Sequence, residues 1–340
     1  GAATVNVAHT GINVARGFYA ENLTTSAAGK VVVNATNSNG TWQAGDYTVI
    51  QYGTSFTGSA SHFQVGTIAG LAPQQTASIS NVPGIGIVLR IVGDSLTWTG
   101  DQSANWGTTP VGGAFNWNYP SNNENSEFTN GNPVLFDDSA ERFTVNLTSN
   151  VSPSSTVFDN NFNNYTISST GGFGISGSGS LIKNGEGTVT LTTTNTYTGS
   201  TTVNAGILEL GNGTTDGSVS TSSLITVNGG SLVFNLTGSH TYSNPIAGTT
   251  FALITKRGAG SLTLSGDNTF SGDLVLEAGV LNLNSPTAFG VAPGFLTIQG
   301  GTLNNTSGAA VISTVNKPQK WDADFTFTGT NDLALGTGAV

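Results

Sequence analysis

Two stretches decide how the chain is to be read: GEGTVTLTTTNTYTGSTTVNAGILEL, from Gly185 to Leu210, and RGAGSLTLSGDNTFSGDLVLEAGVLNL, from Arg257 to Leu283. Slid forward along the chain, the first falls on the second at one constant offset: Gly187 on Gly260, Leu191 on Leu264, Asn195 on Asn268, Gly199 on Gly272 and Gly206 on Gly279. Tyr197 meets Phe270, an exchange that keeps an aromatic ring. A second block follows each copy. Ile225-Thr-Val-Asn-Gly-Gly-Ser-Leu232 matches Leu296-Thr-Ile-Gln-Gly-Gly-Thr-Leu303 at a slightly smaller offset, so the second copy has the shorter intervening loop. Repetition on this scale is the mark of a stacked architecture.

Within each copy the apolar period is two. Val189 and Leu191 alternate with Thr188 and Thr190, as Leu262 and Leu264 do with Ser261 and Thr263. Alternate residues of a strand face opposite ways, so each strand offers one apolar row inward and a Thr/Ser/Asn row outward. Gly-containing turns separate the strands, and no segment shows a capped 3.6-residue period. Two folds satisfy this grammar: a β-sandwich array, or a parallel β-helix whose coils share one core. The expected architecture is all-β, a parallel β-helix (β-solenoid) with an aromatic-rich inserted loop region. The repeat unit then divides into three coils of about 24 residues, placing Asn195 in register with Asn268 as a hydrogen-bonding column.

The string G-x-G-[TS]-[VL]-T-L, N-T-[YF]-[TS]-G, A-G-x-L-x-L resembles the autotransporter-associated β-strand repeat, also called the passenger-associated transport repeat. It occupies about residues 181–210 and 254–283. The resemblance implies a β-helical, exported segment of a large bacterial surface protein, structural or adhesive, located extracellularly or at the cell surface. It implies no catalytic residue. The function expected is a stalk, fibre or matrix element that associates with itself or with adjoining repeats of the same long chain.

Composition agrees with an exported all-β chain. The 340 residues include 47 Gly, only 8% charged residues, and neither Cys nor Met. Disulfides, thiolate metal sites and cysteine catalysis are thereby excluded. Without Met, Gly1 is not expected to be the translational start, and the chain reads as an excerpt from a longer protein. The formal charge of −10 and nine scattered Lys and Arg speak against nucleic acid, which needs clustered cations. No apolar run is long enough to span a membrane.

Residues 1–95 are expected to form an N-terminal solenoid segment, 96–135 a Trp-rich insertion or side lobe, and 136–340 the repeat-bearing solenoid. The lobe carries Trp98, Trp106, Trp117 and Tyr119. Exposed, these rings would stack on sugars and make the chain an adhesin for surface glycans; the plainer reading is a satellite core beneath a long loop. Asp137 and Asp138 could give oxygens to Ca²⁺, the one cofactor considered, although an Asp pair after a strand more often closes a turn.

A polysaccharide-degrading β-helix would need converging acids. The 19 acids are instead spread along the chain, and the copies differ where they carry them: Glu186 against Ala259, Glu209 against Asn282. His9, His62 and His240 stand apart, with no G-x-S-x-G elbow. Gly172-Phe-Gly-Ile-Ser-Gly177 spells a dinucleotide fingerprint but has no helix after it, so its glycines are turn residues. No enzyme activity is expected.

Overall fold

The computed structural model describes residues 3–9, 18–25, 30–37, 45–69, 75–82, 86–93, 95–108, 115–119, 124–220 and 223–340. The described chain is all-β, its one helical piece a 3-10 turn at Ala60–His62. It divides into two units: residues 1–95 with 131–133, and residues 96–130 with 134–340.

In the first unit, Ala3–His9, Val31–Asn37 and Phe63–Ala69 lie parallel, with Ala3 opposite Val31 and Val31 opposite Phe63. Phe18–Thr24 runs parallel to Gly45–Thr57. The pairing then reverses: Gly86–Gly93 is antiparallel to both Gly45–Thr57 and Gln75–Val82. That reversal departs from the coil-on-coil stacking expected over residues 1–95. Val33, Tyr47, Val49, Ile87 and Leu89 form its separate core.

The second unit is a parallel β-solenoid of about nine turns. A nine-stranded sheet begins at its first coil with Leu96–Trp98, and a ten-stranded sheet runs from Asn105–Trp106 to Gln319–Trp321. A third, five-stranded sheet opens at Ser239–Tyr242. Strand alternation sets what each sheet buries. On the ten-stranded sheet Tyr165, Val189, Leu208, Leu232, Ile254, Leu274 and Leu296 stack inward in register, and all are buried. Each such side chain contributes about 1.5–3 kcal/mol on burial.

Coil length is where the structure corrects the sequence reading. Leu181 pairs with Thr201, Thr201 with Ile225 and Ile225 with Ile246, so three coils bring the chain from Leu181 back to the same face at Ile246. The repeat is longer than those three coils, because the equivalent of Leu181 is Ile254. The extra length carries the chain to the next face. Ser180–Asn184 and Thr188–Leu191 belong to the nine- and ten-stranded sheets, whereas their counterparts Leu253–Arg257 and Ser261–Leu264 belong to the ten- and five-stranded sheets. Asn195 and Asn268 consequently share no column.

The Trp-rich stretch is corrected as well. Leu96–Trp98 pairs parallel with Pro133–Asp137, and Asn105–Trp106 parallel with Thr144–Leu147, so 96–106 is the first coil of the stack and not a side lobe. Trp117–Tyr119 and Glu124–Ser126 then pair antiparallel on its edge.

Candidate functional site

The repeat copies share a corner, built from a strand, a lysine, a glycine turn and a second strand. Lys183 lies in an inward column between Phe158 and Val203, and Lys256 in one between Phe234 and Leu276. Both side chains are fully buried. A charge there is costly unless hydrogen-bonded. The Lys183 ammonium donates to the carbonyls of Asn184, of Gly185 at 2.6 Å and, one coil on, of Ala205 at 3.4 Å. Lys256 donates to Arg257 at 2.9 Å, Gly258 at 2.8 Å and Ala278 at 3.1 Å. These acceptors are equivalent positions of the two copies. Burial holds each lysine down to about 8, against the opposing pull of Glu186, Asp159 and Asp138 on Lys183 and of Asp216 on Lys256.

The repeat glycines serve close approach between coils. Gly206 and Gly279 have φ of +63° and +72°. A Cβ at Gly206 would overlap the Gly187 carbonyl oxygen, and one at Gly279 that of Gly258. At Gly187 it would meet the Asn160 amide, at Gly260 the Gly238 carbonyl, at Gly199 that of Gly179 and at Gly272 that of Ala252. The inward Leu191 and Leu264 and the rings of Tyr197 and Phe270 are buried.

Asn195 and Asn268 act as staples instead of a side-chain ladder. Asn195 Oδ1 accepts the Ile175 N–H at 2.8 Å while Nδ2 donates to the Ser218 carbonyl at 2.7 Å, bridging the coils before and after. Asn268 repeats this with the Ile246 N–H at 2.8 Å and the Ala288 carbonyl at 2.6 Å. An amide ladder does exist, on another column: Asn228 donates to Asn204 and Asn204 to Asn184, each at 2.9 Å.

The remaining expected site residues are engaged inside the fold. Trp98, Trp106 and Trp117 are buried, and Tyr119 is half-buried. The tryptophan rings pack edge-to-face or tilted on one another and on Phe128 and Phe136, centroids 5.1–6.0 Å apart. The three tryptophans therefore present no open face to a sugar. Asp138 accepts the N–H groups of Asn161, Phe162 and Asn163 at 2.7, 3.1 and 2.9 Å. Burial opposes its charge, but these bonds outweigh burial and hold its carboxyl below the usual range. Asp137 Oδ1 accepts the N–H and hydroxyl of Ser139, closing a turn. Both carboxylates are thus committed to chain geometry. Among the described residues no group of three or more His, Asp or Glu is placed to hold a metal ion, and no helix is long and apolar enough to cross a membrane.

Two acids also have structural partners. Glu209 accepts from Thr190, Asn235 and the Arg257 guanidinium, the last at 2.5 Å; Asn282, its counterpart, donates to Thr263, the counterpart of Thr190. Asp216 takes the Thr237 and Gly238 N–H groups and lies 3.2 Å from His240 Nε2, so His240 does not stand alone. The buried lysines are the functional residues that sequence reading misses. Their signal is nonetheless present: Leu181-Ile-Lys183-Asn-Gly185 and Ile254-Thr-Lys256-Arg-Gly258 repeat at the same offset as the glycines.

The family model of the passenger-associated transport repeat matches residues 181–210 and 254–283. A stretch of 80 residues is 44% identical to the Adhesin BmaC autotransporter of Brucella suis biovar 1 (strain 1330), covering 23% of this chain and 2% of the adhesin. No solved structure matches. The matched segments are the two stapled corners, and the chain thus carries two passenger-associated transport repeats on a β-solenoid.

Proposed function

We propose that the chain is a non-enzymatic, extracellular segment of a bacterial surface passenger and that it serves as a stiff spacer. The observation carrying this reading is the repeat itself: its matched residues are spent on coil-to-coil bonds, with lysine, asparagine and glycine each tied to a neighbouring coil. The adhesin relative and the repeat family support the surface location. Each coil adds one strand spacing, so about nine turns make a stack of roughly 40–45 Å. The mechanism is mechanical, since extension along the axis would have to break several backbone ladders together.

Self-association is part of the proposal. A solenoid carries ladders of backbone N–H and C=O groups along its axis, which a second copy can continue. Sedimentation velocity together with negative-stain microscopy tests this: concentration-dependent end-to-end species are expected. A chain that stays monomeric at every concentration contradicts self-association. The spacer role is tested separately by optical-tweezer extension between the solenoid's first and last coils. Unfolding at forces typical of a flexible linker would contradict it.

A further inference from the structure

Along the corner between the nine- and ten-stranded sheets the connecting segments change length. Seven coils cross it, the last five beginning with Ser155–Asp159. Of these five, the middle three cross in three residues each, 185–187, 204–206 and 228–230, all containing glycine. The flanking coils use longer connections, 160–164 and 249–252. Each longer connection carries a phenylalanine at the surface: Phe162 is 89% exposed and Phe251 79%. Short glycine-containing connections thus lie between two longer ones that bear exposed aromatic rings, four coil spacings or roughly 19 Å apart.

Along these short connections runs the amide ladder of Asn184, Asn204 and Asn228, the last two opening their own three-residue connections. A side-chain amide has two N–H donors and two acceptor lone pairs. In the ladder Asn204 spends one of each on its neighbours, which leaves one donor and one acceptor for a ligand. A sugar hydroxyl is likewise both donor and acceptor, and the C–H faces of a pyranose pack on aromatic rings. The short connections carry Glu186 and no exposed cation, in a chain of formal charge −10. An anionic polysaccharide would be repelled.

We infer that this corner is a binding site for a neutral oligosaccharide of about four rings, clasped at its ends by Phe162 and Phe251 and hydrogen-bonded along the Asn184–Asn204–Asn228 ladder. The role goes beyond that of a spacer, and either stands without the other. It places sugar recognition away from the buried tryptophans, on two exposed phenylalanines and an amide ladder.

Isothermal titration of the full chain with cellotetraose, chitotetraose and mannotetraose, and with their disaccharides, tests the inference. At least one tetrasaccharide is expected to bind, its disaccharide being about tenfold weaker because it cannot reach both rings. Phe162→Ala and Phe251→Ala should each weaken binding about tenfold. Because both rings are exposed, the melting temperature should not move, which separates lost contact from lost fold. The inference is overturned if none of the tetrasaccharides binds at millimolar concentration, or if binding ignores both substitutions. It falls equally if the substitutions change only sedimentation, because the corner would then be a protein contact.

Discussion

The two repeat copies differ most in the outer row of their strands and least where they face the next coil. Glu209 gathers Thr190, Asn235 and Arg257, while its counterpart Asn282 keeps only the threonine contact. Lys183 and Lys256, by contrast, meet the same three carbonyl positions although they sit in different sheets. The unit that repeats is therefore a corner, and it is portable between faces of the solenoid. What makes it portable is that every bond of the lysines ends on a backbone carbonyl, which is available at every corner, whichever side chains surround it.

The comparison breaks most visibly at the lysines. Lys183→Ala and Lys256→Ala each orphan carbonyls in the core and open a cavity, for an expected loss of about 3–5 kcal/mol apiece. If the corners are equivalent, the two losses agree within about 1 kcal/mol in denaturant titrations. A loss at one and tolerance at the other would show that only one corner matters. Asn195→Ala and Asn268→Ala come next, at about 2 kcal/mol each, because an N–H and a carbonyl in adjoining coils lose their partner. Hydrogen exchange should place the first opening at Ile175 and at Ile246 respectively.

A pH series sharpens the comparison. Lys183, Lys256 and Lys317 are held down to about 8 by burial, while the unfolded chain keeps lysines near about 10.4. Between these values the unfolded state binds more protons, so stability rises with pH across that window. Above about pH 10 the direction reverses, since burial raises Tyr165, Tyr197 and Tyr242 and only the unfolded tyrosines ionise there. Melting temperature against pH should show this maximum, and Lys183→Met should flatten its alkaline rise. A smaller effect belongs to Glu209→Gln. Arg257 is partly exposed, so losing the ion pair should cost less than about 1 kcal/mol and depend on salt. Asn282→Ala should be milder still.

Much of this architecture is legible in the sequence because strand alternation is a local property. Val189/Leu191 and Leu262/Leu264 declare their faces by neighbours two positions away. Coil length is not local. Thr188 pairs with Ile207, and Ile207 with Ser231 over a longer span of chain, yet nothing within a strand records the difference. For that reason an even division of the repeat unit misplaces Asn268 by a face, and in place of the expected asparagine column each side chain bonds to the backbone of the coils beside it. The lysines escape notice because a lone charge reads as solvent-facing, and its acceptors include a carbonyl 22 residues on. The tryptophans mislead for another reason. Their strands, Leu96–Trp98 and Asn105–Trp106, are too short to show a period, so inward rings cannot be told from outward ones.

Because the chain has no cysteine, the advance of the repeat by one face can be read by cross-linking. Val233 and Thr255 are register partners on the outer side of the ten-stranded sheet, one coil apart. Thr263 would take the place of Thr255 if three coils spanned the whole repeat. Neighbouring strands lie about 4.8 Å apart, within the range a disulfide bridges. Oxidising the Val233→Cys/Thr255→Cys and Val233→Cys/Thr263→Cys variants and reading the cross-links by mass spectrometry should give an intramolecular bond in the first and none in the second. A bond in the second and none in the first would contradict the account.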